Sequence, residues 1–475
     1  MPVILWTDAL VFLLVAVIAG YFFYVRRQPH LLVPWKRVAE SAYGMSALVV
    51  LAVFIAIGLA DSVHYRPALQ SPDGKSAAGY ATRVSSLFDD LAQSLRSRPE
   101  RTYSAPFATR AYAKETMEVT GSDGKPTQLR DFPRLTHGGA HLKDEADRER
   151  DILVRTVAAL ALALAAWGLL VLALVGWQAR RTGRDMRSMG RAIRRGETRV
   201  PWHAMLVTVA VIFALAFPAV ALSTHYHILG TDKVGQDVFY LGLKSIRTGL
   251  VIGTLTTLVL LPLAVSLGIM AGYFRGWIDD LIQYFYTTIN SIPAVLLIAA
   301  AVLLAQVYID SHAELFPTTE HRADMRLLLL CIILGLTSWT GLARLLRGET
   351  LKLRELEFVQ AAQAFGVRSG RILSRHVLPN VMHIVLISLV MDFSSLVLAE
   401  AVLSYVGVGV DPTMISFGTM INAARLEMGR EPMVWWSLAA AFGFMFVLVL
   451  SANLFADAVR DAFDPRVRMV RTAVQ

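Results

Sequence analysis

EFVQAAQAFGVRSGRILSRHVLPN, Glu357 to Asn380, lies between two strongly apolar runs of this 475-residue chain. Phe358, Ala361, Ala362 and Phe365 recur at helical spacing, and Glu355 and Glu357 occupy the early turns. Gly366 stands where a helix stops, because a glycine enters the left-handed conformation of a terminal position without a side-chain penalty. A second short helix starts after Ser369 and runs toward Pro379, whose missing N–H suits the first turn of a new helix. The stretch therefore predicts a helix, a glycine elbow and a helix joining two hydrophobic segments.

Composition says what those segments are. With 55% hydrophobic and 17% charged residues and a mean hydropathy of +0.50, the chain carries more apolar surface than a soluble domain. It is predicted to be an all-α integral membrane protein. Runs of about 20 apolar residues, the length that crosses a hydrocarbon core as a helix, fall near 5–24, 44–60, 152–177, 203–222, 247–272, 284–308, 327–343, 382–404 and 434–458. The first run has no preceding Lys or Arg and is followed by Arg26 and Arg27, the reverse of a secretory signal, so it is read as a retained span. Loops on one side of the nine spans carry 24 Lys and Arg, against 7 on the other, leaving the long loop aside. Basic residues in short loops stay cytoplasmic, which places the amino terminus outside and the carboxyl terminus, with the tail after 459, inside.

The formal charge of +9 is therefore a topology signal more than a nucleic-acid signal. The arginines of Gln178–Arg199 are expected to fix orientation and touch anionic headgroups, at about 1 kcal/mol each, and no nucleic-acid partner is inferred. Residues 61–150 form one long soluble piece, rich in Ser, Gly, Pro and mixed charge, that falls outside by alternation. Its Gly74-Lys75-Ser76 is no phosphate loop, because Leu69 stands where the first glycine of that motif is needed. A small mixed domain and a partly ordered loop fit the segment equally well. The single Cys331 excludes a disulfide framework. No catalytic constellation or metal-ligand set appears, and His225 and His227 are expected to be solvated residues beside a span end.

The opening stretch resembles the cytoplasmic EAA loop of ABC importer permeases, in which Glu-Ala-Ala is followed by three residues, Gly, nine residues and Ile-x-Leu-Pro. Here Gln360-Ala361-Ala362 precedes Gly366 and then His376-Val377-Leu378-Pro379, with every spacing kept. Gln360 replaces the Glu and His376 the Ile. The external segment Gly230–Val238, GTDKVGQDV, resembles the GTDxxGRDV segment of dipeptide and oligopeptide permeases of the C type, with Gln236 for the usual Arg. Gly230, Thr231, Asp232 and Asp237 keep that pattern. AGYFRGW, SIPAVLL, EAVLSYVGVGV and NLFADAVRDAFDPR come after it in the family's order, so the resemblance covers roughly residues 203–470.

The resemblance implies a six-helix type I permease core over 203–475, with a coupling loop at 346–380. Ahead of it lie two spans in 1–60, the external segment 61–150, and a third span with a basic linker in 151–202. It implies a second homologous permease, two cytoplasmic ATPase subunits holding ATP and Mg, and an external solute-binding protein. The chain itself would carry no cofactor and hydrolyse no ATP. Peptides are the expected cargo, nickel chelates, opines and peptide antibiotics being the alternatives, and a sensor or enzyme built on 61–150 the rival from another class. The six-span core is expected to assemble without residues 1–200.

Two features speak independently of the resemblance. Gly249, Gly253, Gly268 and Gly272 put small residues along the fifth span, where helices can approach closely. Asp392 and Glu400 place ionisable groups in the eighth, where they usually face a bundle interior or water; they are candidates for a translocation path or permease interface.

Overall fold

The computed structural model describes residues 1–70, 76–120, 126–316 and 318–463. Gly74 and Lys75 of the GKS sequence and the Asp464-Pro465-Arg466 end of the last family-like segment lie outside the described residues. Among the described residues, nine helices are long and apolar enough to cross a membrane: Trp6–Arg26, Ala42–Asp61, Glu145–Thr182, Trp202–Ser223, Val238–Phe274, Ala294–Ser311, Thr319–Arg354, Ser369–Tyr405 and Trp436–Phe463. They are called spans one to nine in that order.

The sixth span begins later than the sequence suggests. The run from 284 is interrupted at Ile292, which adopts an extended conformation because Pro293 disfavours helical geometry in the residue before it. A separate helix, Gly276–Ser291, precedes the span Ala294–Ser311.

The chain forms two compact units, one of Met1–Val3, Glu40–Arg247 and Ile415–Leu448, the other of Ile4–Ala39, Thr248–Met414 and the chain from Val449. In the first unit, spans two, three and four pack together, and the Trp167 indole donates to the Leu206 carbonyl at 2.9 Å. The soluble segment of this unit is a set of short pieces. Pro2–Val3, His64–Tyr65 and Ser85–Ser86 make a three-stranded antiparallel sheet, and Ala68–Gln70 with Ser76–Tyr80 and Glu115–Thr120 with Pro126–Asp131 make two hairpins. Strands this short bury little surface, so the segment depends on what it packs against.

What it packs against is the membrane part. Phe88, Ala92, Leu95 and Tyr103 share a core with Val238, Leu241, Val434 and Trp436. A buried charge network ties the same surfaces together. Lys244 donates to Asp61 at 3.1 Å and also to Asp89, Tyr240 donates to Asp89 at 2.7 Å, and Ser86 donates to Asp61 at 2.6 Å. Burial raises the pKa of Asp89, but Lys244 and Tyr240 outweigh it and hold the carboxyl at about 2.

Among the described residues the second unit has two large apolar clusters. One gathers Leu260, Ala264, Ile269, Leu342, Leu346 and Val381 beside the 340–385 region. The other joins Val251, Leu255, Leu327, Leu334 and Leu396, with Leu10 and Val11 of the first span against it. The first span is anchored by polar contact too, Thr7 N donating to Asp324 at 3.2 Å and both side chains being buried. Trp35 packs edge-on against Phe463 at 5.5 Å. Within this unit span five approaches the helix Thr340–Arg354 so closely that a Cβ on Gly268 would stand 2.7 Å from the Ala343 carbonyl, and one on Gly272 2.6 Å from Thr350.

Candidate functional site

The loop between spans seven and eight is built from its buried side outward. The helix Glu357–Ala364 ends at Phe365, and Gly366 takes φ +71°. Gly366 N then donates to Gln363 O at 2.9 Å and Val367 N to Ala362 O at 3.0 Å. This pairing satisfies carbonyls that would otherwise end the helix unbonded, and it folds Val367 back on Ala362. Val359, Ile372 and Val377 are fully enclosed in the first core of this unit, with Ala362 and Val367 packed against them.

The second short helix is not separate. Ser369–Ile372 runs through a single π turn at Leu373–Val377 into Leu378–Tyr405, so the span is continuous from Ser369. The π turn has an evident packing role. Ile372 and Val377 are five residues apart, a spacing that an α-helix puts about 140° apart and the wider turn brings onto one face. Pro379 sits in the first turn of Leu378–Tyr405, where its missing N–H leaves nothing unpaired.

What remains outside is the face Phe358, Ala361 and Phe365. Phe365 is 86% exposed and Phe358 45%, the latter beside the His376 ring at 6.1 Å. The four apolar positions legible in the sequence thus divide. Ala362 belongs to the inner face, with Val359, while the other three form an unsatisfied outer face. Gln360 is exposed, its amide nitrogen 3.5 Å from Glu355, which is ion-paired with Arg275. Sequence reasoning also missed Asp279 and Arg347, joined by two bonds at 2.6 and 2.7 Å, which fasten the helix Gly276–Ser291 to Thr340–Arg354. An Asp and an Arg 68 positions apart gave no local signal of pairing.

Asp392 is half-buried in span eight, its carboxylate without a partner among the described residues, while neighbouring Phe393 fills the space left by Gly253 and Ser394 donates to Asn453 at 2.6 Å. Glu400 is enclosed and accepts from Ser404 at 2.7 Å.

In the first unit, the Gly230–Val238 segment is a folded turn. Asp232 accepts from Val234 N at 2.9 Å and Gln236 N at 2.8 Å, and Asp237 accepts from Phe239 N at 2.8 Å at the start of span five. Thr231 is buried, donates to the Thr102 carbonyl at 2.8 Å and accepts from Ser104 N at 2.7 Å, and Trp436 donates to its carbonyl at 2.9 Å. Gly235 has φ +76°, and a Cβ there would meet the Glu100 carbonyl at 1.9 Å. Glu100, Thr102 and Ser104 of the soluble segment are thus seated directly on this turn.

His227 corrects the expectation of a solvated histidine. It is buried between Asp237, 2.8 Å from Nδ1, and Glu100, 3.5 Å from Nε2. Asp237 lies ten residues further along the chain, but Glu100 arrives from the soluble segment and no sequence neighbour announced it. Burial lowers the His227 pKa, but the two carboxylates outweigh it and hold it at about 9. Burial likewise raises that of Glu100, which His227, Thr136 and two backbone amides bring well below the usual carboxylate range. A raised histidine contributes its stability fully below its ordinary 6.5 and loses it as pH climbs through about 9; a depressed carboxylate contributes above its ordinary 4.5 and loses it in acid. Thermal stability of the purified chain is therefore expected to peak between those ordinary values and to fall toward pH 9. His227→Gln should flatten the alkaline fall in a melting series; an unchanged slope would remove this cluster as its cause.

A family model described as the binding-protein-dependent transport system inner membrane component matches residues 264–469. The chain is 31% identical over 249 residues to the oligopeptide transport system permease protein OppC of Mycobacterium tuberculosis, covering 52% of this chain and 79% of the relative. It is 31% identical over 244 residues to the glutathione transport system permease protein GsiD of Pectobacterium atrosepticum, covering 51% and 73%. It is 31% identical over 242 residues to the dipeptide transport system permease protein DppC of Alkalihalophilus pseudofirmus, covering 51% and 73%. Among solved structures, inward facing conformations of the MetNI methionine ABC transporter match with a TM-score of 0.37 and 14% identity, over 47% of this chain and 97% of that one.

Proposed function

Because this chain belongs to the binding-protein-dependent inner-membrane components, the permease subunits of ABC importers, and within them to the dipeptide and oligopeptide type, we propose that it imports peptides by alternating access driven by separate ATPases. It is a multi-pass inner-membrane protein, for which we propose an external amino terminus and a cytoplasmic carboxyl terminus. The proposed assembly adds a second homologous permease, two cytoplasmic ATPases that hold the ATP and Mg, and an external solute-binding protein.

One observation carries the coupling part of this reading. The Glu357–Ala364 helix is clamped to the core by Val359, Ala362 and Val367 yet presents Phe358 and Phe365 to solvent. An exposed aromatic pair on a rigidly held helix is the form of a surface meant to be covered by another protein. Peptide cargo is favoured over nickel chelates, opines or peptide antibiotics by the names of the relatives. A sensor or enzyme built on 61–150 is disfavoured, because that segment shares a core and buried charges with the membrane part.

Asp392 is proposed to line the translocation path, and Glu400 to support span eight from inside. The test is uptake of a labelled tripeptide by cells lacking the chain and complemented with it. Wild type is expected to restore uptake and Asp392→Asn to alter the rate or the preference among tripeptides at unchanged ATPase association. Uptake independent of the chain would refute the peptide reading; an unaltered Asp392→Asn would remove that residue from the path.

A further inference from the structure

Between spans three and four the chain makes a short amphipathic helix, and its geometry points to something more specific than a topological charge. Span three ends at Gly183 in the left-handed conformation, Asp185 caps the next helix by accepting from Arg187 N at 3.2 Å, and Met186–Arg195 comes next. Met189 and Ile193 seat this helix on Val175, Ala179 and Leu206. The elbow leaves a notch at the end of span three, walled by Leu172, Ala173, Gly176 and Trp177, capped by Arg180 and Arg184 and also lined by Met186 and by Asp185, whose carboxylate is engaged by Arg187 N.

We propose that this notch is a binding site for one anionic phospholipid, its phosphate held by Arg180 and Arg184 and an acyl chain laid along Leu172 and Trp177. Charge complementarity is the first argument. Arg180, Arg184, Arg187, Arg191 and Arg194 have no carboxylate partner among the described residues, whereas Arg195 faces Glu197 at 3.8 Å and Arg199 pairs with Glu40 at 2.9 Å. The second argument is the division of the wall. From Leu172 to Arg180 the helix rises about 12 Å, apolar at the span end and cationic at the loop end, the order in which a phospholipid presents its tail and its phosphate. Leu172 and Trp177 are exposed and the Arg181 guanidinium stacks over the Trp177 ring at 5.4 Å, so the indole stands at the boundary where tail meets headgroup. A free phosphate would use the arginines and leave the apolar wall idle.

The site is outside the region matched by the family model and does not depend on the transport reading. Its test uses the full chain in nanodiscs and phosphatidylglycerol with brominated tails as the probe, read as quenching of the Trp177 contribution, obtained by difference from Trp177→Phe. Brominated phosphatidylglycerol is expected to quench that contribution saturably, and brominated phosphatidylcholine at equal mole fraction not to. Removing two cations worth about one basic residue's membrane attraction each should weaken the apparent affinity about thirtyfold in Arg180→Gln/Arg184→Gln. Arg191→Gln/Arg194→Gln, on the solvated face, should stay within about twofold. Equal loss in both double variants would mean diffuse attraction, equal quenching by phosphatidylcholine would mean an uncharged groove, and displacement by millimolar inorganic phosphate would mean a phosphate site. Each of these overturns the proposal.

Discussion

Phe365→Asp in the intact chain is expected to leave membrane level and melting temperature unchanged and to abolish both ATPase association and tripeptide uptake. The first half rests on exposure: with 86% of Phe365 open to solvent, its removal forfeits almost no internal contact, and surface changes of that kind stay within about 0.5 kcal/mol. The second half rests on the proposed seat. An aromatic anchor at the centre of an interface is worth about 2 kcal/mol or more, and a carboxylate in its place adds the cost of burying an unpaired charge. Association should therefore fall by at least about thirtyfold. Ala362→Glu makes the instructive contrast. Ala362 packs inward with Val359, so a glutamate there should lower membrane levels as well as docking. The measurement is co-purification of the ATPases at matched membrane levels, and normal association of Phe365→Asp would exclude its side chain as the gripped surface.

Removing residues 1–200 is expected to prevent folding of what is left, against the expectation that a six-span core stands alone. Truncation strips Lys244 of both Asp61 and Asp89, leaving that cation in an interior built for pairs, and takes Glu100 from His227, which keeps Asp237. Breaking one buried pair costs about 3–5 kcal/mol, against a total stability of about 5–15 kcal/mol for a typical domain. The same cut uncovers Val238, Leu241 and Trp436, and takes Thr7 from Asp324. Membrane-level immunodetection and size-exclusion behaviour of the truncated chain decide the matter. A monodisperse product at wild-type yield would show that the amino-terminal part is an accessory. Asp61→Asn/Asp89→Asn isolates one component and should itself lower the melting temperature.

These two cases mark what could be read in the letters. The spans were legible because a lipid interior demands about 20 apolar residues in a row, and nothing between the ends has to be known. The loop was legible because Gly366 and Pro379 have local conformational causes, and its outer face because Phe358 and Phe365 repeat at a helical period. The side that Ala362 faces was not legible, since helical periodicity gives two apolar edges to a short helix and only packing tells which is inside. His227 and Lys244 were beyond reach for a different reason. Apart from Asp237, ten residues from His227, their partners are Glu100, Asp61 and Asp89, residues separated from them by most of the soluble segment and two membrane crossings, and no local pattern encodes such pairing. Ile292 lay in between: its break is written in Pro293, but an apolar run masks a proline within it.

The π turn at Leu373–Val377 gives the loop a phase. Ser369 to Tyr405 is one continuous helix of 37 residues, about 55 Å long at helical rise, with the π turn at Leu373–Val377 near its loop end. A twist delivered at the loop end therefore emerges as a roll of the whole rod. Adding or deleting one residue in the turn would rotate the loop by about 100° about that axis, swinging Phe358 and Phe365 away from any fixed groove while every side chain stayed intact. Length in this stretch is thus held more tightly than identity: Gln360 and His376 can replace the family's letters, but the count of residues between Gly366 and Pro379 behaves like the tooth spacing of a gear.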